Sequence, residues 1–220
     1  MIERSLMQNV LADIALESEA AVALFMRIAR AIDDSPRDER AAALKRIGTA
    51  VGKYYVCKRA PGVVGEALEC LGGNGYVEES IMPRLYREAP VNSIWEGSGN
   101  INALDVLRIV RKQPESLAAL RAEIEPVAGD ARIRAELIAL ERDVADDSAL
   151  ETRARSVAER LALLWQASLL LQHAPHAVSD AFVESRLGMR AGRTMGTLHS
   201  SSAVRDIVER ASPHEVAVPA

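Results

Sequence analysis

The chain predicts an all-α fold: an up-and-down helical bundle followed by a further helical extension. Three observations carry that prediction. Hydrophobic residues make up 49% of the 220 positions while aromatics make up only 4%, and the abundant Ala, Leu, Arg and Glu are good helix formers. Apolar residues recur at helical spacing nearly from end to end, which is the signature of amphipathic helices. No period-2 stretch of useful length, tandem repeat or low-complexity tract intervenes, so nothing calls for a sheet or a solenoid. A chain this long and this apolar can bury one large core or two small ones.

The elements follow in order. Residues 5–32 carry Val10, Leu11, Ile14, Ala15, Ala21, Leu24, Phe25 and Ile28, and Asp33-Asp34-Ser35-Pro36 ends the run. Ser35 is the expected N-cap of the next helix, with Pro36 at its first position and Asp38 as the capping-box partner. That helix presents Leu44, Ile47, Val51, Tyr54 and Tyr55 on one face. Pro61-Gly62 is expected to interrupt it, leaving a short helix over 63–71 that stops at Gly72-Gly73, where glycine supplies a left-handed end. Residues 74–93, with Pro83 and Pro90, read as loop with about one helical turn. A helix then runs from just after Glu96 to about Lys112, on Ile101, Leu104, Val106, Leu107, Ile109 and Val110.

Composition shifts after Gln113-Pro114: no lysine occurs beyond Lys112, so every strong base there is arginine. We therefore divide the chain into a bundle over 1–113 and an extension over 114–220. In the extension, 115–126, 130–147, 148–173 and 176–187 read as helices, Gly188 to Gly196 as loop and Ser202 to Ala211 as a last short helix. The apolar run Leu161 to Leu171 contains Gln166 and Ser168 and is too short to span a bilayer, so it reads as a buried bundle helix.

The net charge of −4 provides no global basic field that would draw the chain to nucleic acid or membrane. The opening Met1-Ile2-Glu3-Arg4 has no signal-peptide pattern. Cys57 and Cys70 lie far apart with no CxxC, as expected of core thiols in a reducing compartment. The expected location is cytoplasmic.

Residues 94–100, Ile94-Trp95-Glu96-Gly97-Ser98-Gly99-Asn100, are the most informative segment. Glu96 follows an indole, precedes two glycines and stands at the mouth of a helix. Partial desolvation by the indole would raise its pKa and the helix N-terminus would lower it, a setting suited to a general base; an ordinary loop glutamate leading into a helix fits the same letters. Gly72-Gly73-Asn74-Gly75 lets a backbone come close to a phosphate or simply stops a helix. It is not a dinucleotide fingerprint, since Glu78 stands where the last glycine would be needed and a helix precedes it. Pro175 between His173 and His176 breaks the helix that would aim both at one metal, so no metal site is predicted. Arg108 is a surface cation or a group facing a substrate, with Asp105 as a local ion partner. Five arginines, Arg186, Arg190, Arg193, Arg205 and Arg210, against Asp206 and Glu209 over 186–210 give a local charge of +3, either a solvated face or a surface for DNA phosphates.

Taken together, Leu71-Gly72-Gly73-Asn74-Gly75-Tyr76, Pro83-Arg84-Leu85-Tyr86-Arg87-Glu88 and Ile94-Trp95-Glu96-Gly97 resemble the C-terminal helical domain of FAD-dependent acyl-CoA dehydrogenases. There a GG-x-G-Y turn precedes an R-D or R-E pair, and an I-Y-E-G-T-x-Q segment leads into the last bundle helix. The motif covers about residues 5–112. The run Pro90 to Asn100 is most similar to the AidB-type branch, associated with the adaptive response to DNA alkylation, and the extension is similar to that branch too.

The resemblance implies an acyl-CoA thioester as substrate, abstraction of its α-proton by Glu96 and transfer of a hydride from the β-carbon to flavin N5. It places Gly72 and Gly73 near the FAD diphosphate, usually across a subunit interface. It places Trp95 and Ser98 beside the flavin, Asn100 where a glutamine commonly contacts FAD, and Arg108 behind the base. It further implies a homo-oligomer, usually a tetramer, and, as an alternative role, a DNA-binding module using the 186–210 arginines.

Trp95, Ser98 and Asn100 replace the family's Tyr, Thr and Gln, and Glu69 stands where many relatives carry Gln, a poor neighbour for a diphosphate unless it turns away. Family members also carry an N-terminal helical domain and a middle β-domain ahead of this region. Without them the isolated chain is expected to hold FAD poorly and to turn over no acyl-CoA.

Overall fold

The computed structural model describes residues 3–146, 150–188, 194–198 and 201–213, with only the backbone of Ser201 and Ser202. Among the described residues there are helices and turns and no strand. The helices are α1 (Ser5–Asp34), α2 (Glu39–Cys70), α3 (Gly73–Tyr76), α4 (Met82–Glu88), α5 (Gly99–Lys112), α6 (Pro114–Ile124), α7 (Ala131–Ala145), α8 (Ala154–His173), α9 (His176–Leu187) and α10 (Ser201–Ala211). Short 3₁₀ turns occupy Ala89–Ser93, Glu125–Val127 and Leu150–Arg153.

Two expectations about α2 need correction. Its N-cap is Asp38, not Ser35: the Asp38 carboxylate accepts from the Arg40 amide at 2.8 Å and the Ala41 amide at 3.3 Å. Ser35 instead closes α1, its amide donating to the Ala31 carbonyl. Nor does Pro61 end the helix, which continues to Cys70. Proline forfeits one backbone hydrogen bond, but α2 packs on both sides of it, against Ile28 of α1 and Trp165 of α8 at Gly48 and against Tyr86 of α4 at Gly65. Residues 74–93 are also more ordered than a loop, forming α3, α4 and a 3₁₀ turn.

Helix α8 is the axis of the molecule, with nearly every side chain from Leu161 to Leu170 buried. Trp165 is fully enclosed and lies against α2 at Gly48, where a Cβ would stand only 2.9 Å from its Cη2. Apolar residues from both sides of Gln113 belong to one continuous core. Charged pairs fasten its perimeter. Arg27 of α1 holds Glu123 of α6 at 2.6 and 2.8 Å, and Arg46 of α2 holds Asp105 of α5 at 2.8 Å through both guanidinium nitrogens. Arg132 bridges its own N-cap, Asp130, and Asp180 of α9, both at 2.7 Å. Pro175 separates α8 from α9, so the histidines at 173 and 176 flank a bend. No helix among the described residues is long and apolar enough to cross a membrane.

Candidate active-site loop

The loop between the 3₁₀ turn and α5 is built on α2. Lys53 donates from Nζ to the Asn92 carbonyl at 2.7 Å and lies 5.8 Å from the centroid of the Trp95 ring. The Ile94 and Trp95 amides both donate to the Val91 carbonyl, at 2.9 and 3.1 Å. Beyond them the backbone turns sharply, with Glu96 at φ 52° and Gly97 at φ 111°. Glu96 is the only non-glycine residue with positive φ among those described. For an L-residue that conformation costs roughly 1–2 kcal/mol, so the surroundings must impose it. Asn102, in the first turn of α5, does so: its Nδ2 donates to the Gly97 carbonyl at 2.6 Å and to the Ser98 carbonyl at 3.2 Å.

The loop faces outward. Ile94 is 64% and Trp95 56% exposed, and Glu96 is exposed. The desolvation expected of Glu96 is therefore not supplied within this chain. Ser98 precedes α5 without capping it through its side chain, leaving the hydroxyl uncommitted there. Asn100 accepts from Arg155 Nε of α8 at 2.8 Å, so the extension touches the loop directly. Gly99 is buried beneath Lys58 and Arg155; a Cβ there would stand 3.0 Å from Lys58 Cδ.

Arg108 lies on the surface of α5. It is 63% exposed and pairs with Asp105, whose carboxylate also accepts from Arg46. The hydrogen bond from Arg46, reinforced by Arg108, holds Asp105 below the usual carboxylate range.

The double-glycine turn lies elsewhere. Gly72 has φ 58°, and a Cβ added at Gly72 or Gly73 meets nothing within 4 Å, so both present open backbone. The stringent glycine of the motif is Gly75, where a Cβ would fall 2.1 Å from the Leu68 carbonyl oxygen. The turn borders a cavity of about 1110 Å³ that also meets Glu69, Glu78, Glu79 and Arg87. Arg87 is engaged by Glu78 at 2.7 and 3.1 Å. Backbone access there suits a phosphate, while three carboxylates against one committed guanidinium do not. Lys58 of α2, beside Gly99, precedes Gly72 by fourteen residues, a separation of roughly 20 Å along the helix. The fold does not bring Gly72 and Gly73 together with Trp95, Ser98 and Asn100 in a single chain.

Among the described residues, the 186–210 arginines do not share one surface. Arg186 is only 10% exposed and is held by Asp13 and Glu17 of α1, themselves 2% and 4% exposed. Its expected contact with DNA is corrected to an internal ion cluster, because its donors are already satisfied by buried carboxylates and by Ser185. Arg210 pairs with Glu19 of α1 at 2.9 Å. Arg205 is exposed, and Arg190 and Arg193 lie outside the described residues. Sequence reasoning missed Arg155 and Asn102 at the loop: Asn102 was legible as a short polar residue in the first turn of α5, whereas nothing local marks Arg155.

The family model for the acyl-CoA dehydrogenase C-terminal domain matches residues 1–110. The chain belongs to the acyl-CoA dehydrogenase family. Among its relatives in this family, the putative acyl-CoA dehydrogenase AidB of Escherichia coli is 40% identical over 193 residues, covering 87% of this chain and 35% of that protein. Acyl-CoA dehydrogenase family member 11 of Caenorhabditis elegans is 31% identical over 189 residues, covering 76% of this chain and 31% of that protein. The crystal structure of Caenorhabditis elegans ACDH-11 in complex with C11-CoA superimposes with a TM-score of 0.63 at 28% identity, covering 89% of this chain and 33% of that one. The all-α prediction and the resemblance are thereby borne out. The chain spans about a third of the length of these relatives.

Proposed function

We propose that this chain provides the catalytic-base wall of an FAD-dependent acyl-CoA dehydrogenase, with Glu96 as the base. The observation that carries the reading is the backbone of Glu96, held at φ 52° by the Asn102 clamp on Gly97 and followed by a second left-handed residue. Strain of this kind clusters where a side chain must be aimed, and we read it as aiming the Glu96 carboxylate along a strip of exposed apolar residues, Ile94, Trp95 and Ile101.

Covered by protein, that strip would exclude water from Glu96 and supply the desolvation a working base needs. Glu96 would then accept the α-proton of a thioester as the C–H bond electrons move into the substrate. FAD would supply the two-electron acceptor. Trp95 offers an aromatic face, Ser98 an uncommitted hydroxyl and Asn100 an amide already oriented by Arg155. The open backbone at Gly72-Gly73 would serve a cofactor held mainly by another copy of the chain, since it stands far from Glu96 in its own copy. The DNA-binding alternative has no comparable support, with Arg186 internal and Arg210 tied to Glu19.

The test is a chimera in which residues 1–220 replace the region they match in the Escherichia coli AidB protein. A folded, yellow chimera that loses ~10²–10⁴-fold in acyl-CoA dehydrogenation on Glu96→Gln, with its flavin spectrum retained, is the expected result. A folded chimera without flavin overturns the cofactor assignment, and unchanged turnover in Glu96→Gln overturns the base.

A further inference from the structure

A second cavity lies between α5 of the bundle and α6, α7 and α8 of the extension. It measures about 190 Å³ and is walled by Leu117, Leu120, Leu137, Leu140, Val144 and Leu161. Leu120 and Leu140 are buried, and Leu117, Leu137 and Val144 are partly buried and packed against the core. Arg121 and Glu141 also border it, but they are engaged with each other at 2.7 Å, with both side chains at least half exposed. The rim thus carries a closed ion pair and the interior carries hydrocarbon.

The space opens to solvent on one side, so it is an apolar recess between helices rather than an enclosed void. It is also a poor place for water, which needs two to four polar partners. A dry apolar cavity of about 150 Å³ is enough to bind benzene or xenon, and this one is somewhat larger. A charged ligand is disfavoured, since its head would meet a guanidinium already committed to Glu141. We propose that this cavity is a binding site for a small, uncharged, apolar molecule of the size of a single aromatic ring or a short alkyl chain. The site lies at the seam between bundle and extension and does not depend on the Glu96 reading.

The experiment uses the full chain with labelled leucine and valine methyl groups, followed by NMR during titration with benzene and, separately, with hexanoate. Benzene is expected to shift the methyls of Leu117, Leu137 and Val144 saturably while leaving those of Leu16 and Leu24, in the α1 core, unmoved. Val144→Phe, which places a ring in the space, should weaken benzene binding at least about tenfold. Should that variant not fold, Val110→Ile supplies a smaller filling at the same wall and should weaken binding in the same direction. No saturable shift with benzene, or equal binding by the filled variant, overturns the proposal. Hexanoate binding as tightly as benzene overturns the restriction to uncharged ligands.

Discussion

Replacing Arg186 by methionine should cost the protein far more than a surface arginine does. Arg186 donates to Glu17 at 2.9 Å, to the Ser185 hydroxyl at 2.9 Å and to Asp13. Methionine keeps most of the length of the stem and removes the guanidinium, which also lies 5.7 Å from the centroid of the Phe182 ring, so most of the packed volume is preserved. What is lost is the charge that compensates two carboxylates of almost no exposure. Removing one partner of a buried pair costs about 3–5 kcal/mol. Both carboxylates keep another donor, Arg59 on Glu17 at 3.0 Å and the Gly196 amide on Asp13 at 2.9 Å. The expected loss is therefore at the low end, about 3 kcal/mol, measured by urea unfolding followed by circular dichroism. In a double-mutant cycle with Asp13→Asn the combined loss should fall short of the sum by ~1–3 kcal/mol. A loss for Arg186→Met within ~0.5 kcal/mol of zero, with a normal fold, would refute the internal role and return this arginine to the surface.

Gly48→Ala gains up to ~1 kcal/mol in helix propensity but forces a methyl to 2.9 Å from the enclosed Trp165 ring. Overpacking at ~1–3 kcal/mol should dominate and lower the thermal midpoint. Asp105→Asn should cost about 1 kcal/mol at neutral pH by uncoupling α2 from α5. Because the folded carboxyl titrates below its unfolded value, its contribution is present above the unfolded pKa and fades as pH falls through the folded one. The wild type and this variant should thus converge in stability in strong acid, and a gap that persists there would contradict the pairing. Asn102→Ala should cost about 1 kcal/mol and selectively raise amide hydrogen exchange over residues 96–99; unchanged exchange there would remove the clamp.

The helices were legible because packing faces repeat at helical spacing: α1, α5, α9 and α10 lie within two or three residues of their predicted spans. Local rules failed where a distant contact outweighs them. Pro61 looks like a stop, yet packing at Gly48 before it and at Gly65 after it holds α2 together. Ser35 looks like a cap, yet the next turn offered Asp38 and the chain took it. Counting charges treated the late arginines as equivalent, while the partners of Arg186 lie some 170 residues earlier, in α1. At the loop, the surrounding motif singles out Glu96 as the candidate base. Its left-handed backbone was not, since glutamate has no preference for that region. Arg155 reaches Asn100 from 55 residues away, a relation no spacing pattern encodes.

Deuterium exchange at the carbon next to the thioester isolates proton removal from oxidation, and so tests the role of Glu96 most directly. In the flavin-loaded chimera, acyl-CoA incubated in D₂O should incorporate deuterium at that carbon with wild-type Glu96 and lose ~10²–10⁴-fold of the rate in Glu96→Gln, with flavin content equal in both. Equal exchange in the two proteins would show that the proton goes elsewhere, and the strained carboxylate would need another purpose.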